Sequence, residues 1–367
     1  MYMLEKTEIN TGRQYEFDYM KGLFTPMILL IHSFQILVGP GEHVGAYKIM
    51  YILTTMTGSA IFMFVLGLGS TYSRRTNAQL VKEGAKLLLW QLTWNVLAMG
   101  APLIISQGLR TLFGLKTAWD VTWELMPVML QYINVFFIAG MCYFLLALLR
   151  QIKTPTWAYF ALALVFIFVN PCLYMYDKRT GIAVLDYVLT MFVGDRAAIS
   201  LCCISHFPYA LLGVGFGRVL RRTENKARLY KAISIPAALL VIAHFVRSMT
   251  INNSLNALYV YQSNGYVYPD ALRALANCGS VLLMAAALYA LREKIAKAKP
   301  LHNVLIHFNK MTTPYYAVHP FFYQLISSFA LYAPFSAMAC VGMAFVVWAL
   351  SFISLRIWKQ IQLSRSK

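Results

Sequence analysis

The chain has 367 residues, of which 59% are hydrophobic and 13% charged, against about 25% charged in soluble domains. That balance excludes a water-soluble globular fold, because too few polar side chains exist to cover its surface, whereas lipid tails solvate apolar ones. The net charge of +18 would raise the question of nucleic acid in a soluble chain; here its distribution points to membrane topology instead, and no nucleic-acid partner is expected.

Residues 1–18 are polar and mixed in charge, with no apolar core ahead of a small-residue cleavage site. They read as a cytosolic segment, not a signal peptide. Apolar runs follow at roughly 20–38, 49–71, 85–106, 127–149, 156–176, 198–219, 232–250, 271–291, 313–333 and 336–356. Each is close to the ~20 residues that carry a helix across ~30 Å of hydrocarbon. None alternates with period two, which excludes a barrel. No linker or internal repeat interrupts the chain, so residues 1–367 read as a single transmembrane domain with a cytosolic tail at 357–367. With the N-terminus placed in the cytosol, 24 of the 32 Lys and Arg residues face the cytosol and 8 face outward, as the positive-inside rule requires. The expectation is an all-α, polytopic protein of the cell (cytoplasmic) membrane with about ten helices and both ends inside. Cys142, Cys172, Cys202, Cys203, Cys278 and Cys340 lie in or beside apolar runs without a CxxC. They read as small core residues, and no disulfide framework or metal site is expected.

Ionisable groups inside spans are costly and usually face a cavity. In the first span, Asp18, Lys21, Thr25, His32 and Gln35 fall within about 100° of one another at ~100° per residue, a polar stripe interrupted by Ile28. Lys21 and His32 lie on one face about 16 Å apart. A cation at the cytosolic mouth with a histidine near mid-membrane suits an anionic ligand entering from the cytosol. Snorkelling accounts for Lys21 alone, but not for the deep His32.

His43 follows in the tight turn of GPGEHVG. Arg74 and Arg75 end the second span and, with Lys82, Lys86 and Lys310, suit phosphates. His206, in CCISHFPYALLG, sits about two turns in from the outer face, and His244 precedes Arg247 near the outer end of its span. With Asp195 and Arg196, these outer histidines suit chemistry on an extracytoplasmic substrate. His302 and His307 read as solvated residues of a basic cytosolic loop. His319, in YYAVHPFF, lies a few turns in from the cytosol, where Pro320 kinks or starts a helical segment. The chain carries no GxSxG, HExxH or Walker loop.

Arg13, Asp18, Lys21-Gly22 and His32 resemble the opening R…D-x-x-R-G…H of the transmembrane acyltransferase superfamily, which includes the acyltransferase-3 proteins; Lys21 stands where that pattern has Arg. FMFVLGLGSTYSRR resembles its second-helix FFxxSGF…RR segment. HFPYALLGVGFGRVL is similar to a later F-P…G…G-R segment, and TPYYAVHPFF to a penultimate Y-x-x-H-P/W motif. The heparan-alpha-glucosaminide N-acetyltransferase branch is similar as well. It has Asn at the place of His32 and its catalytic His at the place of His43.

The resemblance implies acyl transfer across a membrane. The donor would be acyl-CoA, commonly acetyl-CoA, bound from the cytosol. The acceptor would be a hydroxyl or amine of an extracytoplasmic glycan. His32 or His43 would be the general base, His32 ahead, with Asp18 orienting or pairing with Lys21. Arg13, Lys21, Arg74 and Arg75 would hold the CoA phosphates, and His319 would line the thioester path. His206, His244 and Arg247 would face the acceptor. Membrane lipid is the remaining partner, and the oligomeric state stays open. The first-span stripe alone also allows a carrier or flippase for a lipid-linked or anionic substrate.

Overall fold

A computed structural model describes residues 8–37, 58–174, 180–194, 201–251, 270–330 and 335–365. Their regular structure is helical: α1 (Tyr15–Leu37), α2 (Gly58–Tyr72), α3 (Asn77–Trp94), a π-helical turn (Asn95–Gly100), α4 (Ala101–Leu112), α5 (Trp119–Leu130) and α6 (Val135–Gln151). They are followed by α7 (Thr156–Tyr174), α8 (Ala183–Val193), α9 (Cys203–Arg221), α10 (Lys226–Ile251), α11 (Ala271–Lys297), α12 (Lys299–Ala330) and α13 (Ala337–Arg365).

Among the described residues, eight stretches are long and apolar enough to cross a membrane, which makes this a multi-pass membrane protein. The exposed faces say the same. On α10, Ile235, Leu239, Ile242, Val246 and Met249 are all more than half exposed, and their alternating spacing of four and three puts them on one stripe. Ala237, His244 and Ser248 are buried on the opposite side. An apolar outside around a more polar inside is stable only in lipid.

Every expected span overlaps a helix, and among the described residues length and apolarity single out eight. The described part of α2 is 15 residues, and α12 has its apolar character diluted by Asn309, Lys310, Thr312, Thr313, His319 and Gln324. Three further features differ from the sequence reading. The helix α8 forms between two expected spans. The run at 127–149 is divided between α5 and α6, where Asn134 caps α6 by accepting from the Phe136 amide at 2.7 Å. His302 and His307 lie on α12, not in a loop, because the helix starts at Lys299 with Pro300 in its first turn, where proline needs no amide hydrogen.

The chain divides into two compact units. One comprises Met1–Met20, Lys48–Gln91 and Ile133–Lys299; the other comprises Lys21–Tyr47, Leu92–Tyr132 and Pro300–Lys367. In the first unit, α2 and α9 meet backbone to backbone. A Cβ on Gly67 would lie 1.9 Å from the Ala210 carbonyl oxygen, and one on Gly213 would lie 2.0 Å from that of Phe64. Small residues at such crossings are how helices gain contact in lipid, where burial of apolar area supplies little.

In the second unit, α1 and α12 pack in the same way. A Cβ on Gly22 would lie 2.1 Å from the Leu305 carbonyl oxygen. Further along, the Thr25 and Thr312 hydroxyls are 2.8 Å apart. The contacts advance in the same direction along both helices, so α1 and α12 run parallel, and the next pair along them is His32 and His319.

Candidate active site

The Gly22 approach and the threonine pair fix the spacing and register of α1 against α12. Two more contacts hold the next turns. The Tyr323 hydroxyl donates to the Leu29 carbonyl at 2.5 Å, and the Ser33 hydroxyl donates to the Cys340 carbonyl of α13 at 2.6 Å. Between them, His32 Nδ1 lies 2.9 Å from His319 Nε2, with the rings stacked at 5.1 Å between centroids. His319 is 1% exposed, whereas His32 is half-buried.

The hydrogen bonds fix the tautomers. His319 Nδ1 lies 2.7 Å from the Tyr315 carbonyl. A carbonyl only accepts, so His319 Nδ1 carries the hydrogen. In neutral His319, Nε2 is then an acceptor, and the hydrogen shared with His32 belongs to His32 Nδ1. Neutral His32 therefore keeps its lone pair on Nε2. The chain from the Tyr315 carbonyl through His319 to His32 leaves a base at its far end. When His32 Nε2 takes a proton, its Nδ1–H still rests on His319, so the imidazolium is oriented and stabilised by the acceptor that oriented the free base.

Aromatic rings enclose this pair. Tyr316 and Tyr323 meet the His319 ring edge to face at 5.8 and 5.9 Å. Trp94 stacks on Tyr316 at 6.2 Å and donates its indole N–H to the Ala317 carbonyl at 3.1 Å. Trp94 is delivered by the end of α3, one residue before the π-helical turn. There Asn95 donates to the Leu130 and Tyr132 carbonyls at 2.7 and 2.9 Å. π-turns inside α-helices occur mostly near functional sites.

The remaining expected site residues lie elsewhere. Asp18 is ion-paired with Arg13, and its carboxylate holds the Arg13 guanidinium above its ordinary pKa, chiefly through their hydrogen bond. Thr25 donates to the Lys21 carbonyl at 2.9 Å. Arg74 and Arg75 are exposed just beyond α2, where the Arg75 carbonyl accepts from Arg150 at 3.3 Å. His206 is 1% exposed on α9, its Nδ1 2.9 Å from the Cys202 carbonyl. His244 is fully buried on α10. One turn on, Arg247 pairs at 3.0 Å with Asp270, the N-cap of α11. His43, Asp195 and Arg196 lie outside the described residues. Of the cysteines, Cys142, Cys202, Cys203, Cys278 and Cys340 are buried, and Cys172 is exposed.

Trp94, Tyr316, Tyr323 and Thr312 carry parts of the site that the sequence reading did not single out. Tyr and Trp near span ends read as interfacial belt residues, and a threonine in a span carries no distinguishing signal. Their importance comes from α12 lying along α1.

The fold and the site define a multi-pass helical membrane protein that holds a hydrogen-bonded histidine pair between two of its helices. The family model described as an acyltransferase domain, acyltransferase-3, matches residues 14–355. The chain belongs to the acyltransferase-3 family and is a membrane acyltransferase. No curated protein and no solved structure matches it.

Proposed function

We propose that the protein moves an acyl group, in the first instance acetyl, from cytosolic acyl-CoA to a hydroxyl or amine of an extracytoplasmic glycan, with His32 as general base. His32 Nε2 takes the proton of the acceptor group as its oxygen or nitrogen attacks the thioester carbonyl. The tetrahedral intermediate expels the CoA thiolate, and the proton passes from His32 to that sulfur. His319 does not exchange a proton in this scheme. It holds His32 in the reactive tautomer and supports the imidazolium between the two transfers.

The observation that carries this reading is the hydrogen-bond chain from the Tyr315 carbonyl to His32. A carrier has no need for a base with a fixed lone pair. In the proposed topology Lys21 stands at the cytosolic end of α1, about 16 Å along the helix from His32, a span suited to the extended arm between the phosphates and thioester of CoA. Lys21, Arg74 and Arg75 would take the phosphates. Arg13, already paired with Asp18, would contribute less. His206, His244 and Arg247 would meet the acceptor.

The test is acyl transfer from radiolabelled acetyl-CoA to periplasmic or surface glycan in vesicles containing wild type, His32→Ala or His319→Ala at matched expression. His32→Ala is expected to lose transfer by about 10²–10⁴-fold, the usual contribution of a positioned base. Full transfer by His32→Ala would remove the assignment.

A further inference from the structure

In the first unit, four arginines converge on a cavity of about 420 Å³, lined by Arg150, Arg218, Arg221, Arg222 and Glu8. Its volume is within the ~300–1,000 Å³ of small-molecule sites. The guanidiniums are fixed by neutral acceptors. Arg218 donates to the Thr154 carbonyl at 2.8 Å and the Tyr159 hydroxyl at 3.3 Å. Arg150 donates to the Ser70 carbonyl, and Arg221 to that of Thr71. Carbonyls orient these groups without neutralising them. Among the described residues the one carboxylate lining the cavity is Glu8, paired with Arg221. Four cations against one anion leave the walls three charges positive. Arg221 also keeps a buried Nε with no hydrogen-bond partner among the described residues, and Arg222 is exposed at the rim.

Glu8 arrives on a strap that crosses the end of α9. The Ile9 and Asn10 amides donate to the Arg221 carbonyl at 2.8 and 3.0 Å, and Asn10 Nδ2 donates to the Leu220 carbonyl at 3.0 Å. The Arg221 carbonyl lies at the end of α9, where a helix leaves its carbonyls short of donors, while the Leu220 carbonyl accepts from the Thr223 amide as well, at 3.2 Å. Beyond Asn10 the strap is tied down by buried Glu16, which meets Lys226 at 2.9 Å and the Tyr230 hydroxyl at 2.8 Å. Asn10 and Glu16 hold the strap, so Glu8 can leave the cavity without undoing it. Its side chain is 41% exposed, so water receives it readily.

We propose that this cavity binds the phosphate group of a ligand and that Glu8 is its built-in, displaceable competitor. A phosphate monoester brings about −1.5 to −2 charges at neutral pH and several acceptor oxygens, where Glu8 brings one charge. Once Glu8 leaves, the phosphate takes the Arg221 terminal nitrogen that Glu8 held, a charge-assisted contact of the kind that favours arginine for phosphate. The strap thereby sets a threshold: singly charged anions are out-competed by a carboxylate already in place, and multiply charged phosphates are not.

The test uses the full chain in nanodiscs of neutral lipid, with pyrophosphate as the probe and calorimetry as the readout. Wild type is expected to bind pyrophosphate, Glu8→Gln to bind it about tenfold more tightly, and Arg221→Gln about tenfold more weakly, the scale of one charge-assisted contact. Arg222→Gln, on an exposed side chain, is expected to weaken binding several-fold and decides the matter if Arg221→Gln does not fold. Repeating the titration in discs of anionic lipid separates the sources. Unchanged binding identifies a soluble phosphate ligand, and lost binding identifies a lipid headgroup already in the cavity. An unaltered constant in Glu8→Gln would overturn the competitor role. Absence of binding in wild type and Glu8→Gln, or wild-type affinity in both arginine variants, would overturn the site. None of these readouts involves an acyl donor, so the outcome stands apart from the proposed transfer reaction.

Discussion

His32 Nδ1 and His319 Nε2 lie 2.9 Å apart although 287 residues separate them in the chain. The Tyr315 carbonyl decides the direction of that bond, because it forces the hydrogen of His319 onto Nδ1. One main-chain oxygen in α12 thus determines which nitrogen of a histidine on α1 is basic. A neutral histidine here takes the orienting position that a carboxylate fills in other acid–base sites. In a low-dielectric span this is the less costly arrangement, since no permanent charge has to be buried.

The pair makes a pH profile predictable. The proposed His32 base would work only while neutral, so kcat/KM of the wild type should fall as pH is lowered through the histidine titration, by about tenfold per pH unit at the acid limit. Adding acid places the first proton on His32 Nε2, the atom that receives the acceptor's proton in the proposed reaction. A rate that stays flat down to the lowest pH at which the protein remains folded, with the chemical step shown to be rate-limiting, would contradict a histidine base.

Substitution of His319 should separate positioning from proton transfer. His319→Gln keeps an acceptor that can face His32 Nδ1–H, and a loss of about tenfold or less is expected. His319→Leu removes the acceptor and frees His32 to adopt the other tautomer, so a loss near 10²-fold in kcat is expected, the size seen when partners that orient a histidine are removed. KM for the acyl donor should change little in either. If Gln and Leu behave alike, His319 acts by packing and not through its hydrogen bond.

Gly22 should tolerate no side chain. A Cβ there would lie 2.1 Å from the Leu305 carbonyl oxygen, a backbone atom that cannot swing aside. Gly22→Ala is expected to lower stability by about 1–3 kcal/mol through overpacking, and to lower transfer further by displacing α1 from α12 ahead of the histidine pair. Gly69→Ala is the control, because nothing lies within 4 Å of a Cβ at that position, and it should melt at or above the wild-type temperature. Equal melting of Gly22→Ala and wild type in the same detergent would show that the two helices do not approach this closely in the membrane.

These relationships mark what the sequence could and could not reveal. Spanning runs were legible because a bilayer imposes length and apolarity on each segment separately. The polar stripe of α1 was legible because helical periodicity brings Thr25 and His32 to one face. Lys21-Gly22 was legible as a motif, yet the reason for its glycine lies on Leu305, far along the chain. His319 was visible as a histidine in a span but read as a lining of the donor path. Its pairing with His32 exists only once two distant helices run side by side. The strap was unreadable for a related cause: Glu8 and Asn10 look like ordinary polar residues until the end of α9 supplies the Arg221 side chain and the last carbonyls of the helix. The helix α8 and the π-turn at Asn95 leave no pattern distinct from the runs around them.

Asn95 offers the sharpest test of the second unit outside the histidines. It is 2% exposed, and its side-chain amide donates to two carbonyls at the end of α5, those of Leu130 and Tyr132, at 2.7 and 2.9 Å. These oxygens belong to the last turn of a helix and the loop beyond it, where no backbone donor follows in register. Asn95→Ala leaves both short of a donor in an apolar setting, and a loss of about 1–3 kcal/mol is expected. Asn95→Asp has nearly the same shape but turns an oxygen where the amide hydrogens were, facing two carbonyls with no hydrogen to share. It should be less stable than Asn95→Ala at neutral pH and should partly recover in acid, where the carboxyl can donate once. Because Trp94 is the next residue and stacks on Tyr316 beside His319, transfer activity should follow the same order. Thermal unfolding of the three proteins in one detergent at two pH values reads the ranking directly, and an Asn95→Asp protein as stable as wild type would mean that the amide does not hold the π-turn to α5.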